Sequence, residues 1–74
     1  MKRILVIDDS FFVLTAVKGI LKKNISDILV ETAMAAEDGK KMLLDKDYHV
    51  VLLDIILPGI SGIEFLQWLS LIHI

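Results

Sequence analysis

Two segments of this chain share a pattern that restricts the folds it can adopt, because each is a short apolar run that ends in a carboxylate. The first is ILVIDD, residues 4–9, and the second is VVLLD, residues 50–54. Continuous runs of β-branched residues and leucine predict strands that are buried on both faces, as in a parallel sheet. The acids at their ends then place negative charge at an edge of that sheet.

The first strand is followed by a segment with helical period. Its apolar residues recur at a spacing of three to four, which predicts a helix over residues 11–23 with Ser10 as its N-cap. The packing face of this helix is predicted to contain Leu14, Val17, Ile20 and Leu21. Gly19 lies within the helix at a cost of about 1 kcal/mol relative to alanine, and a close contact with the sheet would explain it.

The alternation of strands and helices continues. A second strand is predicted over residues 28–32, and a second helix over residues 35–44. The packing face of that helix is predicted to contain Ala35, Ala36, Gly39, Met42 and Leu43. The order of elements, β-α-β-α-β-α once the third helix is counted, predicts an α/β fold with parallel strands and right-handed crossovers.

The third helix is predicted from the residues that follow the 50–54 strand. Pro58–Gly59 indicates a turn, and Ser61 and Glu64 have the spacing of a capping box, so the helix should begin near Gly62.

The acids at the strand ends form a candidate site. Parallel strands end at one edge of the sheet, so Asp8, Asp9 and Asp54 would meet there if the first and third strands are neighbours. Two unit charges 4 Å apart repel by about 4 kcal/mol at an effective dielectric of 20, so such a cluster must hold a proton or a cation. Oxygen ligands without His or Cys favour a hard ion, Mg²⁺ above all. An isolated Asp-Asp pair is more often a solvated strand end, and the second acid-terminated strand favours a site.

Composition excludes several classes of function. The chain has 74 residues, 55% of them hydrophobic, which suits one small domain, and it has no cysteine for disulfides or thiolate metal sites. A net charge of −2 gives no basic surface for nucleic acid. The sequence shows neither a secretory signal nor an apolar run of the roughly 18 residues that span a membrane, which predicts a cytoplasmic location.

Two of these segments resemble the receiver domain of two-component response regulators. The segments are VIDDS, residues 6–10, and YHVVLLDIILPGISGIEFL, residues 48–66, and the resemblance covers residues 2 to about 68. It implies a flavodoxin-like parallel sheet of order 2-1-3 with flanking helices, truncated before strands 4 and 5.

The resemblance also implies roles for the acids. Asp54 is the residue that a sensor histidine kinase or phosphotransfer protein phosphorylates. Asp9 binds Mg²⁺ directly, Asp8 binds it mainly through water, and the backbone carbonyl of Ile56 completes the protein ligands. The module would not be an enzyme, and it would signal to an output domain or a target protein.

Departures from the family bear on how much of the domain is present. The family's Ser or Thr after the fourth strand and Lys after the fifth have no counterpart here, so residues 1–68 are interpreted as a partial receiver that is incomplete for switching. Residues 69–74, LSLIHI, lack a polar helix face and are what the recognition end of a transposase used for sequencing libraries would encode. They are interpreted as a non-native tail.

Individual residues outside the acids receive structural interpretations. The aromatic residues of the predicted helices are expected in the core or on a surface that faces a partner; they are Phe11, Phe12, Phe65 and Trp68. Met34 and Met42 are expected to pack against other apolar residues. His49 is expected at the surface.

Two alternatives remain. A Mg²⁺-dependent phosphotransferase of the haloacid dehalogenase type also has an aspartate after a strand, but it needs a second aspartate two residues later, where this chain has Ser10 or Ile56. A phosphorylation-independent interaction module of receiver fold is the other, and the intact trio of acids argues against it.

Overall fold

The computed structural model describes residues 1–54, 56–57 and 60–72, and the side chains of residues 1–54 and 63–71. The elements are β1 (Lys2–Ile7), α1 (Phe11–Asn24), β2 (Ile28–Ala33), α2 (Ala36–Asp45), β3 (Val50–Leu53), β4 (Ile56–Leu57), β5 (Ile60–Ser61) and α3 (Gly62–Ile72). Each predicted strand and helix is present, and the predicted ends differ from the observed ones by at most two residues. The Pro58–Gly59 turn lies outside the described residues.

The main sheet has three parallel strands in the order β2-β1-β3, as predicted. Ile4 of β1 lies beside Val30 on one side and Val50 on the other. The flanking helices complete a flavodoxin-like arrangement. The sequence did not predict the small antiparallel pair of β4 and β5, in which Ile56 lies opposite Ser61, because two-residue strands have no period to detect.

The side chains of the sheet alternate between two core clusters. On one face, the buried residues that pack with α2 and α3 are Leu5, Ile7, Ala33, Ala36, Leu43 and Phe65. On the other face, the buried residues that pack with α1 are Ile4, Val6, Leu14 and Val30. The face of α1 covers β3 less completely, since Val50 is 45% exposed and Leu52 is 39% exposed.

The predicted packing face of α2 is confirmed, but that of α1 is partly wrong. Leu14 is buried, and Val17 and Leu21 pack against the same cluster, whereas Ile20 is 61% exposed. The predicted close contact at Gly19 is also wrong, because a Cβ there would have nothing within 4 Å. The close helix–sheet contact is at Gly39, where a Cβ would lie 2.5 Å from Cδ1 of Ile7.

The interpretations of the aromatic residues and methionines have mixed outcomes. Phe65 is fully buried and Trp68 packs against the core beside it, with 5.5 Å between ring centroids. Phe11 and Phe12 are not in the core, being 71% and 81% exposed. Met42 packs against the core, but Met34 is 47% exposed. Phe11 and Met34 instead line a surface cavity together with Leu14, Thr15, Lys18 and Thr32.

Helix α3 continues through residues 69–72, and Leu69 packs against the core cluster that contains Phe65. The helix forms whatever the origin of those residues, so the interpretation of 69–74 as a non-native tail stays a prediction. Within the described part of the chain, every helix is too short or too polar to cross a membrane.

Candidate metal centre

Backbone hydrogen bonds beyond the ends of the strands bring Asp8 and Asp54 to one edge of the sheet. The N–H of Asp8 donates to the carbonyl of Ala33 at 3.0 Å, and the N–H of Asp54 donates to the carbonyl of Ile7 at 3.0 Å. Both bonds continue the parallel ladders by one residue. All three strands therefore determine where the acids lie.

The turn into α1 orients the first acids. The Asp8 carboxylate accepts a hydrogen bond from the N–H of Ser10 at 2.9 Å, and the Ser10 hydroxyl accepts one from the N–H of Val13 at 3.3 Å. Ser10 is thus the N-cap, as predicted. Because the helix begins directly after Asp9, the positive end of its dipole favours negative charge at these two positions.

The structure brings the three predicted acids together. One carboxylate oxygen each from Asp8, Asp9 and Asp54 lies within 4.8 Å of the others. Asp8 and Asp54 are half-buried, and Asp9 is exposed. Oxygens at opposite corners of a Mg²⁺ octahedron are roughly 4.2 Å apart, given bonds of about 2.1 Å. The spread of these oxygens and their hard, anionic character fit a cation held by a mixture of direct and water-mediated contacts.

A small apolar cavity of about 150 Å³ adjoins the site. It is lined by Asp8 and Asp54 together with Val6, Ile7, Val13, Val17, Leu52 and Leu53. The apolar lining lowers the local dielectric beside two of the acids, which strengthens their interactions with one another and with any ion.

Two further residues were singled out from the sequence, Ile56 as a backbone ligand and His49 as a surface residue. Ile56 begins β4, two residues after Asp54, and its role as a carbonyl ligand remains a prediction. His49 is exposed as expected, and its Nδ1 accepts a hydrogen bond from the N–H of Arg3 at 3.0 Å. Because Arg3 is in the first half of β1, His49 lies away from the acidic edge.

A second polar group was not predicted from the sequence, and it extends from the segment before β3 to the middle of β2. We call Arg3, Glu31, Lys46 and Tyr48 the Glu31 cluster. The Glu31 carboxylate accepts hydrogen bonds from the Tyr48 hydroxyl at 2.9 Å and from Nζ of Lys46 at 3.0 Å. Nε of Arg3 lies 3.6 Å from the same carboxylate, and the Arg3 guanidinium lies 5.9 Å from the centroid of the Tyr48 ring.

These contacts change the pKa values of two groups in opposite directions. Burial alone would raise the pKa of Glu31, but the hydrogen bonds from Lys46 and Tyr48 and the charges of Lys46 and Arg3 outweigh it, so the pKa lies below its usual value. Burial and the interaction with Glu31 raise the pKa of Tyr48 to about 12. The cluster is therefore most stable with Glu31 ionised and Tyr48 protonated.

A sequence signal for this cluster exists. Arg3 and Glu31 occupy the same face of β1 and β2 as the core residues Leu5 and Ala33, two positions away in each strand. A charged residue on the core-facing period of a strand needs a partner. Opposite charges at two such positions predict a pair.

Comparison with known proteins gives a consistent family. The sequence model of the response regulator receiver domain matches residues 4–73. Protein-glutamate methylesterase/protein-glutamine glutaminase 1 of Oleidesulfovibrio alaskensis is 34% identical over 67 residues, which cover 90% of this chain and 18% of the relative. Protein-glutamate methylesterase/protein-glutamine glutaminase 2 of Saccharophagus degradans is 36% identical over 75 residues, which cover 96% of this chain and 20% of the relative. The chain thus spans about one fifth of the length of these curated relatives.

A solved structure shows the same fold. The crystal structure of a response regulator receiver domain protein from Clostridium thermocellum superposes with a TM-score of 0.90 at 28% sequence identity. The match covers 99% of this chain and 58% of that one.

Proposed function

Because the chain belongs to the response regulator receiver domain family, we propose that it is a phosphoacceptor in which Asp54 takes a phosphoryl group from a sensor histidine kinase or a phosphotransfer protein. The observation that carries this proposal is the meeting of Asp8, Asp9 and Asp54, whose oxygens lie within 4.8 Å of one another at the carboxyl end of the sheet. Acids from the ends of two neighbouring strands supply the oxygen ligands that such a site needs.

In the proposed reaction Asp54 is the nucleophile. One of its carboxylate oxygens attacks the phosphorus of a phosphohistidine, the phosphorus–nitrogen bond breaks, and its electron pair returns to the imidazole nitrogen of the partner. The product is a mixed anhydride of Asp54 and phosphate. The hydrogen bond between the Asp54 N–H and the Ile7 carbonyl holds the nucleophile at the strand end. Less conformational entropy therefore has to be lost when the reaction takes place.

The proposed cofactor is Mg²⁺, with Asp8, Asp9 and Asp54 as its side-chain ligands and the Ile56 carbonyl as a backbone ligand. When bound, the ion supplies positive charge that offsets the charge of the acids and of the incoming phosphoryl oxygens. Asp8 is held in place for this role by the N–H of Ser10. Asp9 is exposed, and Asp54 is half-buried, so part of its carboxylate surface is open to an arriving donor.

We extend the proposal to the organisation of the protein. Residues 1–68 are part of a receiver, and residues 69–74 are a non-native tail, which the nucleotide sequence over those six codons tests directly. The relatives named as methylesterases are about five times as long as this chain. An output domain or a separate target protein would receive the signal, and the receiver segment itself would turn over no substrate of its own.

The test is self-labelling with a small phosphodonor. The protein is incubated with acetyl phosphate and Mg²⁺, and intact-protein mass spectrometry is expected to show the addition of one phosphoryl group. Asp54→Ala should abolish the addition. Asp38→Ala, at an exposed position in the first turn of α2, is the matched control and should label as the wild type does. Unchanged labelling of Asp54→Ala would overturn the assignment.

The same assay separates the alternatives. A phosphotransferase of the haloacid dehalogenase type would consume acetyl phosphate through many turnovers, whereas a receiver labels itself at one site. A phosphorylation-independent module would do neither.

A further inference from the structure

The Glu31 cluster has no role in the proposed reaction, yet it lies at the end of β3 that is opposite Asp54. Lys46 and Tyr48 belong to the segment between α2 and β3, whereas Glu31 is in β2 and Arg3 is in β1. The cluster therefore connects the start of β3 to both other strands of the sheet.

The segment before β3 is attached to β1 and β2 by several specific contacts. Besides the bonds to Glu31, Nη1 of Arg3 donates to the carbonyl of Asp47 at 3.1 Å. The backbones of Arg3 and His49 are also joined, because the N–H of His49 donates to the carbonyl of Arg3 at 2.9 Å, while the N–H of Arg3 donates to Nδ1 of His49. A one-residue shift of β3 along β1 would break the two bonds between Arg3 and His49.

The apolar sequence of β3 does not select its own register. Its four residues are Val50, Val51, Leu52 and Leu53, so a shift along β1 exchanges one apolar side chain for another of similar size. The hydrogen bonds of a parallel ladder are evenly spaced, so the backbone by itself does not distinguish one register from another. A shift of one residue would nevertheless move Asp54 by about 3.3 Å and turn its side chain to the other face of the sheet.

We infer that the Glu31 cluster is a positioning device that fixes the register of β3 on β1 and thereby places Asp54 beside Asp8 and Asp9. The consequence for Mg²⁺ and phosphorylation rests on the proposed function, but the placement of Asp54 does not. Glu31, Tyr48, Lys46 and Arg3 are positioning residues, since they act on the site only through the strand.

The first measurement is backbone amide hydrogen exchange, followed by NMR. The N–H of Asp54 reports the β1–β3 contact through its bond to Ile7, and the N–H of Asp8 reports the β1–β2 contact through its bond to Ala33. In Glu31→Ala, protection of the Asp54 amide should fall about tenfold relative to that of the Asp8 amide. A loss of global stability alone would lower the protection of both amides by the same factor and leave the ratio of the two protection factors unchanged.

Two variants and a control sharpen this experiment. Tyr48→Phe removes one hydrogen bond and keeps the ring, so it should shift the ratio in the same direction by a smaller factor even where Glu31→Ala fails to fold. Glu31→Gln keeps the size of the side chain without its charge. Its ratio of amide protection should lie between that of the wild type and that of the alanine variant. Glu37→Ala, whose side chain is 79% exposed on α2, should leave the ratio as it is in the wild type.

The second measurement is the affinity for Mg²⁺, under conditions in which more than about 95% of each variant is folded, so that unfolding changes the affinity by only about 5%. Glu31→Ala should bind Mg²⁺ roughly three- to tenfold more weakly. A lowered amide ratio with no Mg²⁺ binding in the wild type would overturn the proposed function and support the positioning role. An unchanged ratio in Glu31→Ala and Tyr48→Phe would overturn the positioning role.

Discussion

The two ends of the sheet handle carboxylates in opposite ways. At the amino end, the Tyr48 hydroxyl, the Lys46 ammonium and the Arg3 guanidinium surround the carboxylate of Glu31, whose backbone lies beside Leu5 in the middle of the sheet. At the carboxyl end, three carboxylates place their oxygens within 4.8 Å of one another.

This difference separates a structural use of charge from a functional one. The Glu31 carboxylate is neutralised by residues of the chain itself, and the resulting contacts tie strands together. The acidic end instead concentrates like charge at a strand edge, where a bound cation would offset the repulsion. Predictions about stability therefore differ between the two ends.

The largest expected effect concerns the acidic end. Mg²⁺ at 100 times its dissociation constant should stabilise the folded protein by about 2.7 kcal/mol, because it binds the assembled site and not the unfolded chain. In Asp54→Asn this gain should disappear, because the site loses one of its three carboxylate ligands. Thermal unfolding with Mg²⁺ or with a chelator measures the gain in both proteins. If Mg²⁺ stabilised Asp54→Asn as much as the wild type, the acids at the carboxyl end would not be the ligands of the ion.

A smaller effect is expected from the residue beneath the acidic end. In Gly39→Ala, the new Cβ would lie 2.5 Å from Cδ1 and 3.2 Å from Cγ1 of Ile7. Ile7 is fully buried and directly precedes Asp8, so it has to shift. The cost should be about 1 to 2 kcal/mol, after the gain in helix propensity is subtracted.

Gly19→Ala is the matched control in denaturant unfolding. Nothing lies within 4 Å of a Cβ at that position, so the same substitution should stabilise α1 by about 0.5 to 1 kcal/mol. A stabilising Gly39→Ala would show that the contact between α2 and Ile7 is not tight.

The smallest effect tests the amino end through Tyr48, which is the one tyrosine of the chain. Ultraviolet absorbance should show it titrating with a pKa of about 12, and in Glu31→Gln the pKa should move toward the ordinary value of 10.0. Because folding raises this pKa, the stability it contributes is complete below about pH 10 and is lost as the pH rises through about 12. Tyr48→Phe should cost about 1 kcal/mol at neutral pH. A Tyr48 pKa near 10.0 in the wild type would mean that the bond to Glu31 is absent.

Strong local signals were sufficient to predict the sheet and the acidic site. The two acid-terminated strands, the helical period between them and the Ser10 cap together predicted the position of every main element. The meeting of Asp8 with Asp54 followed from the parallel direction of the strands and from the resemblance, which supplied the order 2-1-3.

What the sequence did not predict depends on contacts between distant segments. Ile20 has the period of a packing residue, but it is exposed, and Val17 and Leu21 make the contacts with the core. The Glu31 cluster combines residues from three segments, and no short window contains more than two of them. Gly19 and Gly39 both lie in helices, so their sequence context does not distinguish them. They differ in packing, because a Cβ at Gly39 would meet Ile7, whereas a Cβ at Gly19 would have nothing within 4 Å.

The hydrogen bond from the Asp54 N–H to the Ile7 carbonyl also bears on how the molecule folds. Asp8 and Asp54 are separated by most of the chain, so bringing them together closes a long loop, and the entropy of that closure is lost before any ligand can repay it. A nascent or partly folded chain with only β1, α1 and β2 in place has two of the acids and no third. Binding of Mg²⁺ at the proposed site would therefore require β3 to have docked, and it would report a late event in folding.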